Sequence, residues 1–425
     1  MNNQRLELVA DFYEYTMANG YFNKNMQDRI AYFDVFFRKV PDEGGYAIVA
    51  GLEQIINYIR NLSFDEEDIN YLRKQNKFSE EFLNYLENFR FTGDIWAIPE
   101  GTVVFPNEPL ITVKAPIIQA QLLETMLLLT TNHQSLIATK TSRIVKEAQG
   151  RPVMEFGARR AHGINAAVEG ARAAIIGGAV GTSCTLSAKE FNVPASGTMA
   201  HSWIQSFDSE YEAFKAYAEL YPDDCTFLID TYNTIESGLP NAIKVFNEVL
   251  KPKGYRPKAV RLDSGDLAYL SKKVRKILDE TGYEDCKICA TNSLDEYLIK
   301  SLIEQDAKID LFGVGENLIT AKSEPVFGGV YKLVALEKDK KIVPKIKVSE
   351  NTAKVTNPSF KKVYRFYDNE TKKAIADVIT LADEIIDERE YMIFDPQNPW
   401  KKKVLKDYSI RLLQEKIFEE RKINI

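Results

Sequence analysis

The chain has three histidines, His133, His162 and His201. Only His201 follows a run of small and apolar residues, Val193-Pro-Ala-Ser-Gly-Thr-Met199, that leads into a loop-and-helix pattern. A parallel sheet presents reactive side chains at such places, the carboxyl ends of its strands. Imidazole passes protons or takes up a phosphoryl group near neutral pH, and Ser202 adds a hydroxyl next to it in the chain. The ends of other apolar runs carry Phe156, Gly157, Arg159 and Arg160, then Gly181, Thr182 and Ser183, then Asp230 to Asn233. Further on come Arg261, Asp263 and Ser264-Gly-Asp266, Thr291-Asn-Ser293, and Gly313 and Gly315. Two arginines in one loop, a third in a strand and several Gly/Ser/Thr loops at helix starts supply the forked donors and free amides that a polyanion needs. Asp230 and Asp263 suit a sugar diol, a magnesium ion or orientation of the histidine. Phe156 beside Arg159 suits a flat ring that carries a carboxylate.

The elements that must position these groups begin at Arg151. Seven short apolar runs follow: Pro152–Phe156, Ala179-Val180, Val193–Met199, Cys225–Ile229, Ala259–Leu262, Lys287–Ala290 and Ile309–Phe312. Most are followed by an amphipathic helix, which predicts parallel βα units and an irregular (β/α) barrel of about seven of them. The clearest helix places Leu267, Leu270, Val274, Ile277 and Leu278 on one face, with Ser264 or Asp266 as cap and Gly282 at its end. Before the barrel, the spacing predicts an aromatic-rich helix over 5–24 carrying Asp11 and Tyr13, a strand over 31–37 and a helix through Ile56 and Ile59. Two short charged helices within 64–90, short strands within 93–113 and a long helical segment over 119–147 complete that part. After Gly328-Gly329 the pattern predicts strands over 330–336, 342–348, 362–366 and 374–381, and a last helix over 410–421. The expected organisation is an N-terminal α/β part (1–150), the barrel (151–327) and a C-terminal segment (328–425). The barrel is thus inserted in a discontinuous α/β sandwich domain built from both chain ends.

Composition narrows the partners. With 55 Lys+Arg against 61 Asp+Glu and no block of like charge, neither nucleic acid nor an anionic membrane is expected as a partner. There is no apolar run long enough to span a bilayer and no basic-then-apolar start, so a cytoplasmic, soluble protein is expected. Cys184, Cys225, Cys286 and Cys289 include a single Cys-x-x-Cys pair, which predicts buried thiols rather than a structural zinc site. None of the seven strand ends offers the lysine that a Schiff-base aldolase would want.

The combination Asp11-Phe-Tyr13, Glu155-Phe-Gly-Ala-Arg-Arg160, Gly181-Thr-Ser183, Gly197-Thr-Met-Ala-His-Ser202, Asp230-Thr-Tyr-Asn233, Val260-Arg-Leu-Asp-Ser-Gly-Asp266, Gly313-Val-Gly315 and Gly328-Gly-Val-Tyr-Lys-Leu333 resembles the nicotinate phosphoribosyltransferase family. The resemblance implies a type II phosphoribosyltransferase-like fold. It implies an enzyme that joins nicotinate to 5-phosphoribosyl 1-pyrophosphate, giving nicotinate mononucleotide and pyrophosphate in NAD salvage. ATP, as co-substrate, would be hydrolysed through a phosphorylated His201, with Mg2+ as cofactor. By the same resemblance Phe156 stacks on the pyridine, and Arg159 and its neighbour Arg160 lie near the ring and the sugar phosphates. Thr182 and Ser202 line the site, and Arg261 and Asp263 contact phosphoribosyl groups. Asp230 supports His201 or its phosphoryl group, and Gly313 and Gly315 cradle the 5-phosphate. Asp11 and Tyr13 are implied to cross the interface of a homodimer with shared active sites. Two alternatives are a nicotinamide-using transferase and a non-catalytic nucleotide-binding barrel. Against the first, the Gly181-Thr-Ser183 loop offers hydroxyls and amides where such relatives tend to place an acid. One departure is the lack of any cysteine after Cys289, where some relatives carry a cluster.

Overall fold

Short strands rich in Val, Ile, Leu and Phe suit a parallel sheet covered by helices on both faces. Six such strands pair in the order Gly181–Thr182, Val153–Glu155, Leu311–Val314, Lys287–Ala290, Ala259–Leu262, Thr226–Leu228. Every pairing is parallel. Val153, Phe227, Leu228, Val260, Leu262, Ile288, Phe312 and Val314 are buried. Phe227 stacks between Phe214 and Phe246 at centroid distances of 4.5 and 5.5 Å. The computed structural model describes residues 6–348, 350, 355–387, 389–396, 398–419 and 422–423. The chain divides into two units, Leu136–Pro325 with this parallel sheet, and Met1–Ser135 with Val326–Ile425. The division falls within the helix Glu124–Glu147, not at residue 150.

The third of the seven apolar runs is not a strand. Residues 193–199 make a single parallel bridge, Ala195 to Thr182. Pro194 has no N–H to give a ladder, and the small residues after it have little apolar surface to bury. His201 therefore opens a short helix, His201–Gln205, after an irregular segment. The helix Leu267–Glu280 forms as its pattern predicts, with the Asp266 carboxylate accepting the Tyr269 N–H at 3.0 Å.

In the other unit seven strands pair antiparallel in the order Lys341–Pro344, Gly329–Lys338, Ile30–Phe37, Ile111–Pro116, Asp94–Ala97, Glu415–Glu419, Lys422–Ile423. Both ends of the chain thus contribute to one sheet. The helix expected over 410–421 does not form: the strands Tyr408–Leu412 and Glu415–Glu419 occupy it, and residues 420–421 lie outside those described. Its apolar residues at 410, 413 and 417 fit a helical spacing, but partners distant in sequence decide otherwise. Tyr408–Leu412 pairs with Lys361–Asp368, Glu415–Glu419 pairs with Asp94–Ala97, and the Gln414 amide between them accepts the Val363 N–H and donates to the Pro109 carbonyl. The first helix runs over Phe12–Asn23, shorter than the 5–24 expected; residue 5 lies outside the described residues. The Asp11 N–H donates to the Glu14 carboxylate at 3.2 Å, and Glu14 also accepts from the Thr125 hydroxyl and amide. Among the described residues no helix is long and apolar enough to cross a membrane.

Candidate active site

The loops after the parallel strands bring most of the expected residues together. Arg261, on Ala259–Leu262, is the hub. Its Nε donates to the Thr291 hydroxyl at 3.0 Å, Nη1 to the Thr198 hydroxyl at 3.1 Å and the Met199 carbonyl at 3.3 Å, and Nη2 to Asp263 Oδ1 at 3.2 Å. It therefore ties the segment leading into His201 to the sheet. The His201 ring lies between two groups: Nδ1 is 3.1 Å from the Thr231 hydroxyl and Nε2 is 3.7 Å from Asp263 Oδ2. Asp263 Oδ1 also accepts the Thr291 hydroxyl. The His201 side chain is 40% exposed and that of Asp263 29%, whereas that of Arg261 is 15%. The imidazole is the most exposed of the three, Asp263 is partly exposed, and Arg261 is largely covered. Ser202 is exposed and no hydrogen bond holds its hydroxyl among the described residues.

Asp230 does not orient the imidazole directly. Its Oδ2 accepts the Asp263 N–H at 2.9 Å and the Ser264 hydroxyl at 2.5 Å, while Oδ1 is buried without a hydrogen-bond partner. The neighbours of the ring are Thr231 and Asp263, and Asp230 is bonded to the backbone that carries Asp263. An unpartnered buried carboxylate oxygen is a costly feature in a protein interior. The unpartnered Asp230 Oδ1 and the partly exposed Asp263 carboxylate are oxygen donors of the kind a divalent cation takes. Magnesium needs only one or two carboxylates when phosphates and water supply the rest. Among the described residues no group of three or more His, Cys, Asp and Glu could hold a metal unaided.

Phe156 leaves the strand Val153–Glu155 with its N–H on the Val314 carbonyl at 2.8 Å. Its ring lies on Gly313: a Cβ there would be 2.5 Å from Phe156 Cδ2 and 2.7 Å from Thr291 Cγ2. Gly313 is thus needed for the close approach of the ring. Gly315 lies at the start of the helix Glu316–Ile319, where its carbonyl accepts from Leu318 and Ile319. Thr182 is buried; its hydroxyl donates to Glu155 Oε2 at 2.6 Å and accepts the Cys184 N–H at 2.9 Å, so that hydroxyl is engaged within the fold rather than turned to a ligand. Ser183 is the exposed hydroxyl of that loop.

Arg159 is exposed, with no hydrogen bond or ion pair among the described residues, whereas Arg160 lies 3.7 Å from Glu316. Through Thr291, Gly313 and Phe156 the arginine hub is continuous with the loop that carries both. Asp11 and Tyr13 belong to the other unit, at the exposed start of the helix Phe12–Asn23. Burial, and then the neighbouring Glu124 carboxylate that accepts its hydroxyl, raise the Tyr13 phenol well above its ordinary value. Cys225, Cys286 and Cys289 are buried thiols, as expected; burial pushes Cys286 and Cys289 up to about 12. Sequence reading gave no role to Glu155 or Thr198. A charged side chain within an otherwise buried strand was the available signal for Glu155.

Residues 8–132 match the nicotinate phosphoribosyltransferase (NAPRTase) N-terminal domain, 152–380 the nicotinate phosphoribosyltransferase (NAPRTase) family and 360–424 the nicotinate phosphoribosyltransferase C-terminal domain. The chain is 46% identical over 416 residues to the nicotinate phosphoribosyltransferase of Bacillus subtilis, spanning 98% of this chain and 84% of that one. It is 29% identical over 436 residues to the nicotinate phosphoribosyltransferase of Homo sapiens, covering 89% of this chain and 80% of that one. The crystal structure of human nicotinic acid phosphoribosyltransferase superposes with a TM-score of 0.86 at 26% identity, covering 97% of this chain and 89% of that one. The nicotinate-nucleotide pyrophosphorylase of Pyrococcus furiosus shares the fold, with a TM-score of 0.76 at 24% identity over 100% of this chain and 93% of that one.

Proposed function

This chain belongs to the nicotinate phosphoribosyltransferase family and is an enzyme of that type, and we propose that it couples the transfer to ATP hydrolysis through phosphorylation of His201, in salvage of pyridine for NAD. The observation that carries this reading is the half-exposed imidazole held between Thr231 and Asp263 in the Arg261 network. In the transfer, the ring nitrogen of nicotinate attacks C1 of 5-phosphoribosyl 1-pyrophosphate. The C1–O bond breaks, and its electron pair leaves with pyrophosphate. Phe156 holds the pyridine face, and the unengaged Arg159 guanidinium is available to the substrate carboxylate or sugar phosphates. Magnesium, which Asp230 and Asp263 would hold, supplies neutralisation of charge on the leaving pyrophosphate when bound.

In the coupled step the bond from the γ-phosphorus of ATP to its bridging oxygen breaks, ADP leaves, and a ring nitrogen of His201 takes the phosphoryl group. Hydrolysis of that N–P bond returns the imidazole and phosphate. The modification adds about two negative charges next to Asp263, whose other oxygen is tied to Arg261 and Thr291. A dianion there repels the carboxylate and redistributes the cations that hold pyrophosphate. Asp11 and Tyr13 act across the interface of a homodimer, which their exposure at the start of their helix supports.

A pyrophosphate-release assay with nicotinate, nicotinamide and quinolinate, each with and without ATP, tests the reading. Release with nicotinate alone among the three, stimulated by ATP, is expected, and His201→Ala should lose the stimulation while keeping slow ATP-independent transfer. Full ATP coupling in that variant ends the phosphohistidine step, equal use of nicotinamide ends the base assignment, and a monomer in sedimentation ends the shared site.

A further inference from the structure

Glu155 is fully buried at the end of the strand Val153–Glu155, yet it touches neither the imidazole nor the arginine hub. One of its oxygens, Oε1, accepts the Gly157 N–H, and the other, Oε2, accepts the Thr182 hydroxyl at 2.6 Å. The Thr182 oxygen accepts the Cys184 N–H in turn, and the Glu155 carbonyl accepts the Ser183 N–H at 2.9 Å. The two loops that this carboxylate joins are the one carrying Phe156 and the one carrying Ser183. We propose that Glu155 is the positioning residue of the pyridine cleft, clamping the Phe156 loop to the Ser183 loop and so setting the selection of the base. The inference rests on the proposed pyridine site and adds a residue to it.

The arrangement suits a carboxylate: two donors converge on a group with no access to water, and an ionised acid offers an acceptor to each. Burial pushes the Glu155 carboxyl up, and the Thr182 and Gly157 bonds are what oppose it. An amide in its place must aim NH2 at one of the donors. Facing Gly157, it sets N–H against N–H. Facing Thr182, it turns the hydroxyl hydrogen away from its acceptor. On one side the Phe156 ring is stopped by Gly313, with no space for even a methyl group between them.

The test uses the full-length protein and the variants Glu155→Gln, Thr182→Val and the double variant. Glu155→Gln should raise KM for nicotinate about tenfold or more, with KM for 5-phosphoribosyl 1-pyrophosphate within about twofold of wild type. Amide exchange should quicken at Gly157 and Cys184 and not across the rest of the sheet. Thr182→Val should reproduce both effects, and the double variant should be no worse than either single one, since each breaks the same clamp. A nicotinate KM within about twofold of wild type in both single variants overturns the proposal, and so do additive losses or a parallel rise in both KM values. If Glu155→Gln does not fold, the nearly isosteric Thr182→Val decides alone. If wild type consumes no nicotinate, the assigned reaction fails, and the exchange pattern still decides whether the clamp exists.

Discussion

Each unit holds an arginine–aspartate pair, and the two are built for different ends. Arg365 and Asp377 face each other across antiparallel strands. They make a bidentate pair at 2.7 and 2.6 Å, with side chains 11% and 5% exposed. Arg365 also donates to the Val103 carbonyl at 2.6 Å. Behind it the Glu108 carboxyl is pushed up by burial and by Asp377. Both carboxylate oxygens and the Nε–Nη2 edge of the guanidinium are taken up within the fold. Arg261 and Asp263 sit two residues apart at the end of a parallel strand, joined by one bond of 3.2 Å, with Asp263 Oδ2 turned toward His201. A closed fork uses its charges to hold the fold, while an open pair keeps charge for what arrives. The lesson is that pairing geometry, more than residue type, separates a structural ion pair from a functional one.

The largest effect should come from breaking the closed pair. Arg365→Met is expected to cost about 3–5 kcal/mol by stranding a buried carboxylate, read from urea unfolding, with turnover per folded molecule nearly unchanged. A fall in turnover without loss of stability would erase the distinction. Next, Arg261→Met should lower kcat/KM by about 10²–10³-fold, while stability changes by only about 1 kcal/mol because Asp263 is partly solvated. A variant as unstable as Arg365→Met would class both pairs as staples. A smaller loss is expected for Gly313→Ala, where the added methyl meets the Phe156 ring: KM for nicotinate should rise about tenfold with other constants held. Steady-state kinetics at varied nicotinate checks it, and a rise in KM for the activated ribose instead would assign Gly313 to the phosphate.

The smallest effect concerns a buried carboxyl of the antiparallel unit. Burial pushes Glu14 up to about 7 against the Thr125 and Asp11 bonds. A raised folded value means that the folded state holds the proton more tightly than the unfolded chain. Its contribution to stability is therefore present below the ordinary glutamate value and is lost as pH rises through about 7. Glu14 Oε2 has no partner, unlike either oxygen of Glu155, so an amide can replace this acid without facing a donor. Wild type should lose about 2–4 °C in Tm relative to Glu14→Gln between about pH 5.5 and about pH 8. Parallel melting curves across that range would remove Glu14 as the cause.

Much of the site was legible because the groups at successive strand ends are local in sequence and their types name their chemistry. Arg261, Asp263 and His201 were found that way, and position alone narrowed the cap of the helix Leu267–Glu280 to Ser264 or Asp266. Glu155 was not, because a carboxylate used as an acceptor for two loops looks in sequence like any charged residue at a strand end. Thr182 was assigned to the substrate because its hydroxyl is chemically suitable. Its two partners are Glu155, 27 residues away, and the Cys184 amide, and only folding brings the first to it.

By itself the sequence determined the alternation of strand and helix, the parallel order that follows from it, and the set of residues at one edge of that sheet. These depend on periodicity and turn chemistry over a few residues. Tertiary structure alone decided that residues 193–199 stay out of the sheet, and that 408–419 pair as strands instead of coiling. It also decided which carboxylates are consumed by the fold and which remain open. Those outcomes depend on partners far along the chain, whose hydrogen bonds and burial outweigh local preference by amounts that no short window of sequence contains.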